Sequence, residues 1–310
     1  MKQSTDTLLM IRPASFRMNE ETAVNNYFQK KDDDAISANE MAQKEFDRFV
    51  VKLRQNDINV IVVEDDEKLD TPDALFPNNW VSFHENGTVG LYPMFAENRR
   101  RERREEVIEQ IEKHNHKVKN FIDYSDAEKD SVFLEGTGSL VLDRINKKAY
   151  CAVSERASED LLMEFCEDLE YFPILFQANQ SHKGKRLPIY HTNVMMCIGT
   201  DVAIIATSTI DDKQERKTVL ENLKNDGKKV IDISEEQMSN FAGNMLEVRN
   251  TSGKLYMVMS DQAKSVLSDK QREILEEHTG IISSDLSVIE KYGGGSARCM
   301  MAEVFLPKSD

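Results

Sequence analysis

The chain has 310 residues, 55 of them acidic and 40 basic, with a formal net charge of −15. That length allows a large core and by itself suggests about two domains, while the acidic balance argues against nucleic acid and anionic membrane as partners. No run approaches the roughly 20 apolar residues of a membrane helix, the first residues read as no secretory leader, and four cysteines without metal-ligand spacing point to a reducing, cytoplasmic compartment.

Residues 7–11 read as an apolar strand, 39–55 as an amphipathic helix and 60–63 as a second strand. Between them, 19–34 fits no regular pattern and is a candidate lid; its Asp32-Asp33-Asp34 reads as a polar loop rather than a metal site. At Phe76-Pro77-Asn78-Asn79-Trp80 a pattern begins that then recurs. A small or polar knot leads into an apolar strand over 81–84, a turn at Glu85-Asn86-Gly87-Thr88 and a return strand over 89–92. A charged helix over 97–115 follows, then a short strand over 118–122. Gly with Asn, Asp or Ser between apolar runs is hairpin chemistry.

The same order follows from Leu134-Glu135-Gly136-Thr137-Gly138, with strands over 139–143 and 149–153, a helix over 158–169 and a strand over 171–176. It follows again from Tyr190-His191-Thr192-Asn193, with strands over 194–198 and 202–207, a helix over 211–225 and a strand over 230–233. The fourth unit starts at Ala242-Gly243-Asn244-Met245, with strands over 246–248 and 255–259, a helix over 268–278 and a strand over 281–286. A loop over 178–190, with Ser181-His182-Lys183-Gly184-Lys185, falls outside the unit and is a second candidate lid. The fifth knot is Ala297-Arg298-Cys299; 299–306 supplies its first strand and 7–11 the partner.

Asn79, Glu135, His191, Asn244 and Cys299 are therefore spaced by 56, 56, 53 and 55 residues. A ββαβ unit repeated five times at this period predicts a radial α/β architecture. The expected fold is a five-bladed ββαβ propeller, a pseudo-five-fold ring closed by the N- and C-terminal strands, with residues 1–310 as one domain. Such a ring brings the knots to one axis and gathers a thiol, an imidazole, a carboxylate and several amides.

Cys299 follows three glycines and an arginine, a setting that favours a reactive thiolate. Arg298 is either the cation that assists it or a plain surface arginine. Cys151, Cys166 and Cys197 lie inside apolar patterns and read as buried free thiols. His191 is placed to act as acid and base for Cys299. Glu135 can orient that imidazole, bind a substrate nitrogen or be a structural acid; the other five histidines receive no role.

The arrangement resembles the penteins, the guanidine-group-modifying enzymes that include arginine deiminases, amidinotransferases and dimethylarginine dimethylaminohydrolases. The resemblance rests on His and Cys at the third and last knots, Glu-Gly at the second, and Pro72-Asp73-Ala74-Leu75-Phe76-Pro77-Asn78-Asn79, which is similar to Pro-Asp-x-x-Phe-x-Glu-Asp of the dimethylarginine hydrolases. It implies Cys299 as nucleophile, His191 as acid/base, and Arg99 and Arg156 on the substrate's α-carboxylate. The rest of the run 99–104 is expected to be a solvated helix face with Glu105, Glu106 and Glu109 as partners.

Departures from the family pattern sharpen the expectation. Asn78-Asn79 replaces Glu-Asp, Asn193 replaces the aspartate of His-x-Asp, and Glu135-Gly136-Thr137-Gly138 replaces Glu-Gly-Gly-Asp. A guanidinium has only donors and needs carboxylates, whereas a neutral ureido group suits amides. The expected activity is hydrolysis of citrulline to ornithine, CO2 and ammonia through an S-carbamoyl-cysteine. The segments Phe-Pro-Asn-Asn-Trp and Arg-Cys-Met-Met-Ala-Glu resemble those of citrulline ureidases. In that reading Asp73 holds the α-amine or a ureido N–H, or only caps its turn. A guanidine hydrolase or amidinotransferase acting on arginine or a methylated arginine is the alternative, and a non-catalytic pentein binding protein is the next. The expected partner is a small amino-acid substrate, with no cofactor and no metal; a homodimer is left open.

Overall fold

In the computed structural model the chain is described over residues 2–29 and 35–309, with the side chains of 35–37 left aside. Asp32-Asp33-Asp34 lies outside the described residues. The strands in chain order are β1 (Thr7–Arg12), β2 (Asn59–Glu64), β3 (Val81–Phe83), β4 (Thr88–Leu91), β5 (Asn120–Asp123), β6 (Val141–Asp143), β7 (Lys148–Ala152), β8 (Phe172–Phe176), β9 (Asn179–His182), β10 (Lys185–Pro188), β11 (Met196–Ile198), β12 (Val202–Ile205), β13 (Lys229–Asp232), β14 (Leu246–Arg249), β15 (Leu255–Ser260), β16 (Gly280–Ser284) and β17 (Ala302–Glu303).

Among the described residues these form five three-stranded sheets and one hairpin. Four sheets repeat one pattern. The first strand pairs antiparallel with the second, the second pairs parallel with the third, and a helix bridges the parallel pair; the register Val81↔Leu91 and Val89↔Phe121 shows it in the first. The fifth sheet is split as expected: β17 from the C-terminal end pairs antiparallel with β1 at Leu8↔Glu303, and β1 pairs parallel with β2 at Leu8↔Val60. A parallel pair needs a crossover of a dozen or more residues, and the amphipathic helices supply it.

The helices follow their apolar stripes. Helix Ala35–Gln55 buries Ala42, Phe46, Phe49 and Leu53. Helix Glu159–Leu169 buries Leu161, Leu162, Phe165, Cys166 and Leu169, and ends where Glu170 turns left-handed at φ 59°. Helix Lys213–Asn225 starts at Asp212, whose side chain accepts from the N–H groups of Gln214 and Glu215. Helix Asp269–Glu276 starts with a capping box between Ser268 and Gln271.

Three expectations are corrected. The helix expected over 97–115 is a 3-10 turn, Glu97–Glu102, and a separate helix, Glu105–Lys113. The break frees part of the run: Arg103 reaches Glu128 at 2.6 and 3.0 Å and Arg104 reaches Asp65 at 4.0 Å, tying elements together, while Arg101 stays exposed and Arg104 also lies 3.7 Å from Glu106, one of its expected partners. The loop over 178–190 is the hairpin β9–β10. Cys299 is not in a strand; residues 297–300 form a turn ahead of β17.

That turn is one of a set. Each of the five knots is a single helical turn or tight turn ahead of its sheet, at Pro77–Asn79, Gly136–Ser139, Thr192–Met195, 240–243 and 297–300. Consecutive knots are linked: Thr137 Oγ1 donates to Asn78 O at 3.3 Å, Thr192 Oγ1 to Ser139 O at 2.6 Å, Asn244 Nδ2 to Asn193 O at 3.1 Å, and Arg298 N to Asn244 Oδ1 at 3.1 Å. Gly136 adopts φ 45°, and a Cβ there would fall 2.4 Å from Asn78 O, so only glycine permits this approach.

Candidate active site

A small cavity of about 20 Å³ is lined by Asp73, Phe76, Asn79, Arg99, Arg156, Tyr190, His191, Gly293, Gly295 and Cys299, with Thr22 and Asn26 from the segment before the first long helix. The third and last knots thus bring an imidazole and a thiol to one space, and Arg99 and Arg156 reach it from outside the knots. Asn193 meets Cys299 there through its side chain, and Glu135 stands behind His191. Asn78 is buried but is not part of the lining; neither carboxamide atom has a hydrogen-bond partner among the described residues.

His191 Nε2 lies 2.7 Å from Glu135 Oε2. Burial opposes ionisation of Glu135, but Arg156, His191 and Arg99 hold the carboxyl at about 2. Burial pushes the His191 imidazole below its ordinary range, and Glu135 offsets this only in part. The ionised carboxylate can only accept, so Nε2 carries the proton and Nδ1 is the bare, basic nitrogen. Nδ1 sits against the second knot: a Cβ on Gly138 would lie 2.8 Å from it and 2.3 Å from Asn79 Nδ2.

Cys299 is 4% exposed. Its sulfur accepts from Asn244 Nδ2 at 3.1 Å and from Asn193 Nδ2 at 3.4 Å. Arg298 is not a surface arginine; it makes no hydrogen bond to that sulfur but interacts with it electrostatically. It is buried, with its guanidinium on Met301 O at 2.9 Å and Glu303 Oε2 at 3.1 Å. The other cysteines are buried free thiols, each pushed up to about 12 by desolvation.

The two arginines are occupied differently. Arg99 grips Glu102 with Nε and Nη2 at 2.8 and 2.9 Å, and its Nη1 donates to Asn79 Oδ1 at 2.8 Å. Arg156 donates through Nη2 to Thr22 O at 3.0 Å and to Asn25 Oδ1, stands 3.6 Å from Glu135 through Nη1, and leaves Nε without a partner among the described residues. Asp73 Oδ2 accepts from Asn19 at 2.8 Å and Thr22 at 3.3 Å, while Oδ1 is buried with no partner among the described residues. Burial pushes the Asp73 carboxyl up against the pull of Arg99.

Of the two candidate lids, the segment reaching residue 29 covers the cavity through Thr22, Asn25 and Asn26. Sequence reasoning did not single out these residues, nor Glu102 or Tyr190, because each acts through a contact distant along the chain. Asn244 did stand at a knot, and the repeat was the signal. Among the described residues no cluster of His, Cys, Asp or Glu is placed to hold a metal, and no helix is long and apolar enough to cross a membrane.

The family model for "N,N dimethylarginine dimethylhydrolase, eukaryotic" matches residues 12–306. No curated protein sequence matches the chain. Among solved structures, ArgZ, an arginine dihydrolase from the ornithine–ammonia cycle in cyanobacteria, is similar with TM-score 0.74 and 17% identity. The match covers 97% of this chain and 41% of that one, so this chain spans less than half the length of that relative. The N-terminal domain of ArgZ, as a variant bound to substrate, is covered over 99% of its length, with TM-score 0.73 and 16% identity. A dimethylarginine dimethylaminohydrolase bearing an S-methyl-L-thiocitrulline adduct is similar with TM-score 0.62 and 15% identity, over 96% of this chain and 98% of that one. These likenesses establish the fold.

Proposed function

The chain belongs to the N,N-dimethylarginine dimethylhydrolase family of the pentein superfamily, and from that premise we propose that it hydrolyses a carbon–nitrogen bond of the guanidino group of arginine or a methylated arginine through a cysteine thiolate. The observation that carries this reading is the charge at the cavity. Three buried carboxylates, Asp73, Glu102 and Glu135, stand beside two buried guanidiniums, Arg99 and Arg156. Burial pushes the Asp73 carboxyl up and the Glu102 carboxyl up to about 7, and a guanidino cation bound beside them favours their ionised forms. Asp73 Oδ1 is the open acceptor that such a cation would fill. The names of the related structures favour the same substrate class.

In this reading Arg156 takes the substrate's α-carboxylate when Thr22 and Asn25 release it, with Arg99 beside it. Cys299 Sγ gives its proton to His191 Nδ1 and, as the thiolate, attacks the guanidinium carbon. His191 delivers a proton to the departing nitrogen, the C–N bond breaks, and an S-alkylthiouronium on Cys299 remains. Water then gives a proton to His191 and adds to the same carbon; the C–S bond breaks, returning the thiolate and releasing a ureido product. Glu135 keeps the imidazole in its working tautomer. The five units are read as blades of a closed ring, with residues 1–310 as one catalytic domain.

Citrulline is the second reading. Asn79 Nδ2 and Asn193 Oδ1 are both buried, without hydrogen-bond partners among the described residues, and a neutral ureido group needs one donor and one acceptor. Purified protein supplied with arginine, methylated arginines, agmatine and citrulline separates the two. Citrulline accumulating from arginine or a methylated arginine supports the first reading. Ornithine and ammonia formed from citrulline, with arginine inert, replaces it with the second.

A further inference from the structure

We propose that Asn244 is a positioning residue that fixes the aim of the Cys299 sulfur and donates an N–H that favours its thiolate form. The proposal rests on the thiol-hydrolase reading for its importance, but its geometry stands on its own.

Asn244 is 1% exposed, and both ends of its carboxamide are in use. Nδ2 donates to Cys299 Sγ at 3.1 Å and to Asn193 O at 3.1 Å. Oδ1 accepts the backbone N–H of Arg298, the residue before the nucleophile, at 3.1 Å. One side chain therefore grips the nucleophile's sulfur and the peptide that carries it. Turning the amide over would set an oxygen against the sulfur and strip Arg298 N–H of its acceptor, so the network fixes its orientation.

Among the ionisable groups around this sulfur, the Arg298 guanidinium acts on it electrostatically but without a hydrogen bond, which the amide supplies. His191 is held neutral by burial, with its proton engaged on Glu135. Arg298 is turned to Glu303, Arg99 is gripped by Glu102, and Arg156 lies on the lid segment and Glu135. Asp73 and Tyr190 share the cavity and add no positive charge. A primary amide does not titrate, so its N–H donates to the sulfur at every pH at which the fold survives, and hydrogen bonds to a charged form favour that form.

The test is alkylation of Cys299 by iodoacetamide as a function of pH, with the modified peptide identified by mass spectrometry and Cys299→Ser as the blank. For Asn244→Ala the midpoint of the alkylation profile is expected to rise by roughly one pH unit, with about tenfold slower labelling at neutral pH. The isosteric Asn244→Asp, which fits the same space, is expected to raise it further. A folded Asn244→Ala or Asn244→Asp with an unchanged profile overturns the proposal; so does a change in turnover alone. Because labelling needs no substrate, a native chain that labels normally yet turns over no guanidino or ureido compound would sink the functional reading and leave this one intact.

Discussion

Asn79 divides its carboxamide between two tasks. Oδ1 is fixed by Arg99 Nη1 at 2.8 Å, and Nδ2 faces the knot that carries Gly138, close to His191 Nδ1. Replacing Asn79 with Asp keeps the acceptor for Arg99, removes the donor and adds a buried charge. Asn79→Asp is expected to shift the arginine-to-citrulline ratio of kcat/KM towards arginine by about tenfold, a difference of about 1.4 kcal/mol that competition assays resolve. Cys299→Ser is expected to lose at least about 10⁴-fold in kcat, as removal of a nucleophile does elsewhere, while still binding substrate in calorimetry. Residue by residue, the sequence was most legible where a type was rare: one cysteine, one histidine and one glutamate at matching knots. It was least legible where a group's partner lies far along the chain. Arg99 illustrates this, since nothing in 97–102 announces that Glu102 would take two of its nitrogens.

The short helical turns at the knots matter more than their length suggests, because they set which backbone faces the next knot. Gly138 lies in one of them, and a methyl group there would fall within 2.8 Å of His191 Nδ1. Overpacking of this kind costs roughly 1–3 kcal/mol. Gly138→Ala is expected to lower stability by that order and to cut kcat by about a hundredfold through displacement of the imidazole. These turns were hidden in the sequence, where Ser139 and Val194 read as strand starts; four-residue helical turns carry too little periodicity to separate from strand entrances.

The helix Ser287–Gly293 was also missed, and it supports the nucleophile. Glu290 Oε1 accepts from Ser296 Oγ at 2.6 Å, and Ser296 O accepts from Cys299 N at 3.0 Å. Burial pushes the Glu290 carboxyl up to about 7 from its ordinary 4.5. Between those values the folded chain keeps a proton that the unfolded chain has released, so stability falls as pH rises through that window, by an amount on the order of 3 kcal/mol. Glu290→Gln is expected to flatten this fall in thermal melts taken from pH 4.5 to 7.5; an unaltered slope would rule out Glu290 as its source.

At the scale of the whole molecule, the period of about 55 residues made the five sheets legible before any single strand boundary was secure, because each unit repeats the same apolar order. The split fifth sheet was legible too, since 7–11 was left without a unit and the last knot without a second strand. What the repeat did not reveal is how the units are tied together beyond the knots. Gln3, ahead of β1, does this: Nε2 donates to Leu142 O at 2.8 Å and Ile198 O at 3.1 Å, and Oε1 accepts Arg144 N at 2.8 Å. One amide thereby joins the N-terminus to the second and third sheets, and it lines a small cavity of about 20 Å³ separate from the one that holds Cys299. Gln3→Ala leaves the Arg144 N–H and two carbonyls without this partner in a buried place, a loss of about 1–3 kcal/mol. The expected result is a lower melting temperature with kcat and KM unchanged well below the melt. A change in KM at low temperature would instead mean that this tie transmits to the cavity, through the path from Arg144 and Glu303 to Arg298 and the turn of Cys299.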